Sequence, residues 1–259
     1  MAQRTFFGYL RLALLLAVLV FVSLGSWLDR VRSTDWDAPL RVTVYPIAAE
    51  GVTPAELRAL DVDAFADTEA FFAEQARDYG IEVDPPFRFR VSWAAPGPPP
   101  EAPKDGGPLS IAWWSLEMRY WAWRVAANDP LPPPDIQVFA VYYPDTDGRV
   151  VPDSLGLSKG LMAVTHLFVG PAAAERNQVV LAHELLHTLG ATDKYDLATG
   201  QPIAPDGLGD PDQEPRYPQQ VGELMAGRVA VSPQDAEIPA GLGQMRVGET
   251  TAREIGWVQ

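Results

Sequence analysis

The chain has 259 residues, 47% of them apolar, so one domain with a buried core is feasible and disorder is not the default. A formal net charge of −14 repels phosphate backbones and excludes nucleic acid as an expected partner. Cysteine is absent, which excludes disulfides and thiolate ligands; a metal would have to be held by His, Asp or Glu, and His166, His183 and His187 are the only histidines.

Residues 12–28 form an apolar run broken only by Ser23, Gly25 and Ser26. Arg4 and Arg11 precede it, Trp27 lies near its end, and Arg30 and Arg32 follow. The run is at the short end for a spanning helix and lacks a small-residue cleavage site. Residues 1–32 are therefore expected to be an uncleaved signal anchor. The chain would be a single-pass membrane protein, with residues 33–259 forming an extracytoplasmic domain; secretion after cleavage is the lesser alternative.

Residues 40–47 are rich in Val and Tyr and predict a strand. Thr53 and Glu56 have capping-box spacing, with Pro54 at the first helical position. Helical pattern then runs in one or two pieces to Tyr79, with Phe65, Phe72 and Tyr79 on one face and Gly80 as the stop. Phe87, Phe89, Val91 and Trp93 alternate with polar residues, the pattern of a half-buried strand. A Pro/Gly-rich loop follows, then a helix over 110–127 carrying Trp113, Trp114, Trp121 and Trp123. Trp at this density suits carbohydrate or membrane contact, but packing against the sheet is the plainer expectation. Residues 136–143 predict a central strand, 161–169 a further strand, and 172–189 a helix. The fold class expected from this order is mixed α/β (α+β), with helices on a sheet.

The last of these helices contains His183, Glu184 and His187. Residues four apart share a helical face, so the two imidazoles can meet one zinc ion. Glu184 is then placed to take a proton from a zinc-activated water and pass it to a leaving amine. Gly190 suits a left-handed turn that ends the helix and swings Asp193 back as third ligand, with Asp196 as runner-up. Asp206, Asp210, Asp212 and Glu214 cluster in the next loop. Their spacing matches no EF-hand, so solvated acids are the plainer reading beside calcium.

The segment HELLHTLGATD resembles the extended zinc motif of the metzincin metallopeptidases, departing from it at the third ligand, where Asp193 replaces histidine. It looks closer to members that use aspartate there, the snapalysin-like and immune-inhibitor-A-like groups. The resemblance implies a twisted mixed sheet, an active-site helix, a Met-turn with Met225 beneath the metal, and a C-terminal helix near 250–257, where Thr251 and Glu254 have capping-box spacing. It also implies that substrate pairs with the strand before the active-site helix, here 161–169. His166 in that strand reads as a substrate-edge or structural histidine rather than a ligand. Some members place a tyrosine two residues after the Met, but Gly227 stands there, leaving Tyr195 and Tyr217 as candidates for steadying an oxyanion. The expected function is thus hydrolysis of peptide or protein by a zinc metalloendopeptidase. The alternatives are a zinc hydrolase of a non-peptide amide and a non-catalytic zinc-binding or scaffolding module.

Overall fold

A computed structural model describes residues 7–13, 16, 34–58, 62–103, 106–146, 151–158 and 160–258. Strand β1 (Leu40–Ala48) leads to helix α1 (Pro54–Arg58), a 3-10 turn (Val62–Phe65) and helix α2 (Ala66–Asp78). Strand β2 (Phe87–Val91), helix α3 (Pro108–Asn128), strand β3 (Ile136–Tyr143), strand β4 (Leu155–Leu157), strand β5 (Met162–Phe168) and helix α4 (Ala174–Thr188) follow. The remainder is irregular, with two-residue strand pairs and a short helix α5 (Glu249–Glu254).

The five strands form one mixed sheet in the order β2-β1-β3-β5-β4. All neighbours are parallel except β4, which runs antiparallel to β5. Successive strand residues point to opposite faces, and here both faces are covered. Val42, Val44, Ile136, Val138, Ala140 and Ala163 pack against α2 and α4 through Phe72, Ala76, Leu181 and Leu185. Tyr45, Phe139, Val141, Met162 and Val164 pack against α3 through Met118, Ala122 and Val125. Burial on both sides explains the nearly continuous apolar character of β3. The fold is therefore mixed α/β, a five-stranded sheet with helices on both faces.

The capping box at Thr53 and Glu56 is present: the Thr53 amide donates to the Glu56 carboxylate (2.9 Å), and the Glu56 amide donates to Thr53 Oγ1 (3.3 Å). Thr251 and Glu254 do not form one; Thr251 donates to Glu223 and Glu254 accepts from Thr192 and Lys194. Tertiary partners outbid the local cap because both side chains face the body of the domain. The Trp-rich helix also departs from expectation: Trp114 and Trp121 are partly buried on the sheet, while Trp113 and Trp123 are exposed.

Two further expectations are corrected. The strand at Met162–Phe168 is not a free edge: β3 occupies one side, and on the other β4 pairs with Met162–Val164 while the His166 amide donates to Ser154 and the Phe168 amide to Asn177. The edge strand on this side of the sheet is β4, read from sequence as loop because Leu-Gly-Leu is too short to show alternation. The signal anchor and single-pass membrane topology are withdrawn. Among the described residues, no helix is long and apolar enough to cross a membrane. Residues 7–13 are helical, and most of the 12–28 run lies outside the described residues.

Candidate metal centre

Helix α4 buries Leu181, Leu185 and Leu186 against the core and turns His183, Glu184 and His187 toward β4 and the chain that follows the helix. Gly190 adopts φ +102°, a region open to glycine and costly for other residues. Its amide donates to the His187 carbonyl (3.1 Å), and the Ala191 amide donates to that of Leu186 (3.1 Å), so the helix closes in a reversed turn. The turn brings Asp193 back over the histidines. Asp193 Oδ1 stands 3.2 Å from His183 Nε2 and 3.1 Å from His187 Nε2, and the two Nε2 atoms are 3.0 Å apart.

The other ring nitrogens fix the protonation pattern. His183 Nδ1 lies 2.9 Å from the Leu224 carbonyl and His187 Nδ1 lies 2.8 Å from that of Ala191. A carbonyl only accepts, so each Nδ1 carries the proton and donates it, leaving both Nε2 lone pairs aimed at one point. Two lone pairs and a carboxylate oxygen converging at this spacing repel one another unless something positive lies between them. For a tetrahedral zinc ion with bonds of about 2.0–2.1 Å, ligand atoms stand roughly 3.3 Å apart, close to the separations here. The donor set thus fits zinc. Among the described residues, these three are the one group of His, Asp and Glu side chains that converges in this way.

The electrostatics agree. Contact with His183 holds the Asp193 carboxyl below its ordinary range. Burial opposes charge on His183, but the Asp193 contact and the Glu184 charge outweigh it and raise its pKa. Burial and the charge of His183 lower that of His187. Glu184 is buried, which pushes its carboxyl up to about 7. The Gly156 amide faces this carboxylate and works in the opposite direction. Oε2 of Glu184 is buried without a hydrogen-bond partner, an orphan in the wall of the site.

Met225 lies fully buried in the 3-10 turn Leu224–Ala226, the same turn whose Leu224 carbonyl holds His183. Glu223 caps that turn, accepting from the Ala226 amide (3.0 Å), and also accepts from Thr251 Oγ1 (2.6 Å) and the Gly248 amide (3.2 Å). Lys194, next to Asp193, is buried. Its ammonium donates to Glu254 (2.7 Å) and to Thr192 Oγ1 (2.7 Å), and its amide donates to the Met225 carbonyl (2.9 Å). Helix α5 thus pins both the turn beneath the histidines and the segment carrying Asp193.

Other sequence candidates fall elsewhere. Asp196 accepts from Ala198 and Thr199 in its own exposed turn and does not join the cluster. His166 lies apart from it, with Nδ1 3.1 Å from the Tyr143 hydroxyl and burial lowering its pKa. Tyr195 stands near enough for Asp193 and Glu184 to add to burial in raising its pKa. Asp206 accepts from Thr250, and the loop acids do not converge. Sequence reasoning missed Gly156, Lys194 and Glu223, and gave Glu254 only a capping role. Their importance comes from contacts across the chain, and only the lone glycine in Leu-Gly-Leu left a trace.

No protein-family model matches the chain, and no curated protein does. Among solved structures, two crystal forms of wild-type OgpA from Akkermansia muciniphila resemble it at 11% identity and a TM-score of 0.39. The match covers 84% of this chain and 59% of OgpA, so this chain spans less than two thirds of that protein's length. A likeness this faint carries no argument about the site.

Proposed function

We propose that the chain is a zinc-dependent metallopeptidase of metzincin type, with His183, His187 and Asp193 holding the metal and Glu184 moving the proton. The observation that carries this reading is the convergence of two Nε2 lone pairs and one carboxylate oxygen within 3.2 Å, with both histidines locked by backbone carbonyls. Support for the family comes from the turn at Gly190 and from buried Met225 in the turn that holds His183.

A bound zinc ion would supply Lewis-acid polarisation of the scissile carbonyl and acidify water. The protein's residues do the rest. Glu184 Oε2, without a hydrogen-bond partner among the described residues, accepts a proton from the attacking water. The water oxygen bonds to the carbonyl carbon, the C–N bond breaks, and Glu184 returns the proton to the departing amine. Tyr195, kept neutral by its surroundings, is the candidate donor to the oxygen that becomes negative. The open edge of β4, beside Glu184 and His187, offers backbone pairing to an extended peptide.

The test is elemental analysis and peptide-library cleavage by the purified chain. Wild type should hold near one zinc, and His187→Ala should lose it. Glu184→Ala should retain zinc and lose roughly 10²–10⁴-fold in turnover. Folded wild type that binds no zinc when offered it refutes the metal centre. Glu184→Ala cleaving at the wild-type rate refutes the mechanism. Zinc without cleavage of any peptide moves the reading to a non-catalytic zinc module.

A further inference from the structure

Helix α3 packs one face on the sheet through Met118, Ala122 and Val125. Its opposite face carries Leu109, Trp113, Leu116, Tyr120 and Trp123, exposed by 87%, 71%, 50%, 60% and 63%. Their spacing alternates four and three, the repeat of a seam between paired helices, and it places them in one narrow stripe directly opposite the buried face. The helix is apolar on both sides, which an isolated surface helix is not. Discounting each side chain by its exposure, the stripe presents on the order of 700 Å² of apolar surface. That exceeds the few hundred Å² expected of a monomer's largest patch and approaches the roughly 800 Å² that each partner brings to a standard interface.

We infer that this stripe is the interface of a homodimer, in which α3 of one copy packs against α3 of a second across a two-fold axis. A self-complementary stripe on a rigid 21-residue helix meets the geometry of such an axis, because each copy offers the same row. Leu109, Leu116 and Trp123 at one seam position and Trp113 and Tyr120 at the other supply the large side chains that dominate interfaces. Two other occupants fit less well. Anionic lipid is repelled by a net charge of −14. A sugar needs hydrogen-bonding groups among the rings, and Leu116 fills the middle of the stripe.

Sedimentation equilibrium of the full chain tests it. Wild type should sediment at about twice 28.3 kDa, and Trp113→Glu combined with Trp123→Glu at the monomer mass. Both positions are exposed, so the fold should hold, with circular dichroism as the check. Single alanine substitutions at these rings should each weaken association by roughly 30-fold or more. Because the chain has no cysteine, Leu116→Cys should form an intermolecular disulfide on mild oxidation, whereas Ala198→Cys on the exposed turn after Tyr195 should not. A monomeric wild type overturns the proposal, as does a dimer that survives the double substitution. Monomer that co-floats with lipid vesicles, or that is retained on a glycan matrix, would assign the stripe to those partners instead.

Discussion

Gly156 shows how a single missing methyl group shapes the site. A Cβ there would sit 2.3 Å from the His187 Cβ and 2.6 Å from the Glu184 carbonyl, and neither neighbour moves without moving helix α4. Strand β4 can lie this close to the face carrying His187 and Glu184 only because residue 156 is glycine. Gly156→Ala should cost about 1–3 kcal/mol and displace β4 from the helix. Chemical denaturation reads the cost, and a rise in the zinc dissociation constant reads the displacement. An alanine variant with unchanged stability and unchanged zinc affinity would show that the strand has room to retreat. The histidines teach the same lesson from the other side. Their spacing is local, but the proton on each Nδ1, and hence the lone pair on each Nε2, is set by the carbonyls of Leu224 and Ala191.

At the scale of elements, helix α5 acts as a clasp. Glu254 accepts from the Lys194 ammonium, the Thr192 hydroxyl and the Thr192 amide. Burial works to raise the Glu254 carboxyl, but Lys194 and Thr192 outweigh it and hold it below its ordinary value of 4.5. A carboxyl depressed in the folded state stabilises above its unfolded value, and that stability is lost as pH falls through the folded value. Glu254→Gln should therefore cost about 1.5–3 kcal/mol at neutral pH, with the difference from wild type shrinking as pH drops below 4.5. Urea melts at neutral and acid pH measure both limbs; a difference that does not change with pH would mean the carboxylate charge contributes nothing. The strands and longer helices were legible from periodicity: β3 falls at the residues predicted, and α3 and α4 differ only at their ends. Strand β4 was not legible, since three residues cannot display a period of two. The expected capping box at Thr251 was misread because spacing records what a side chain is able to reach, not which partner it takes.

For the whole molecule, the metal and the fold should be coupled. The three proposed ligands come from α4 and the loop behind it, and that loop is tied to α5 and to the Met225 turn. A ligand that binds only the folded chain adds about 4 kcal/mol when present at 1,000 times its dissociation constant. Chelation should accordingly lower the melting temperature by roughly 8–16 °C, reversed by zinc, with Asp193→Ala insensitive to both. Melting unchanged by chelator in a zinc-loaded sample would mean the metal sits on a preformed surface without bracing the fold. By itself, the sequence determined that a helix carries His183, Glu184 and His187 on one side, that glycine turns the chain after it, and that a layered α/β domain surrounds it. These are consequences of short-range geometry, since a helix repeats every 3.6 residues wherever it lies. Tertiary structure alone decided that β4 forms the edge beside α4, that Leu224 and Ala191 orient the imidazoles, that α5 braces the Asp193 loop, and that the stripe on α3 is left uncovered by the described residues. Each depends on which distant segment arrives at a surface, and a local apolar pattern records that a face prefers cover without recording what covers it.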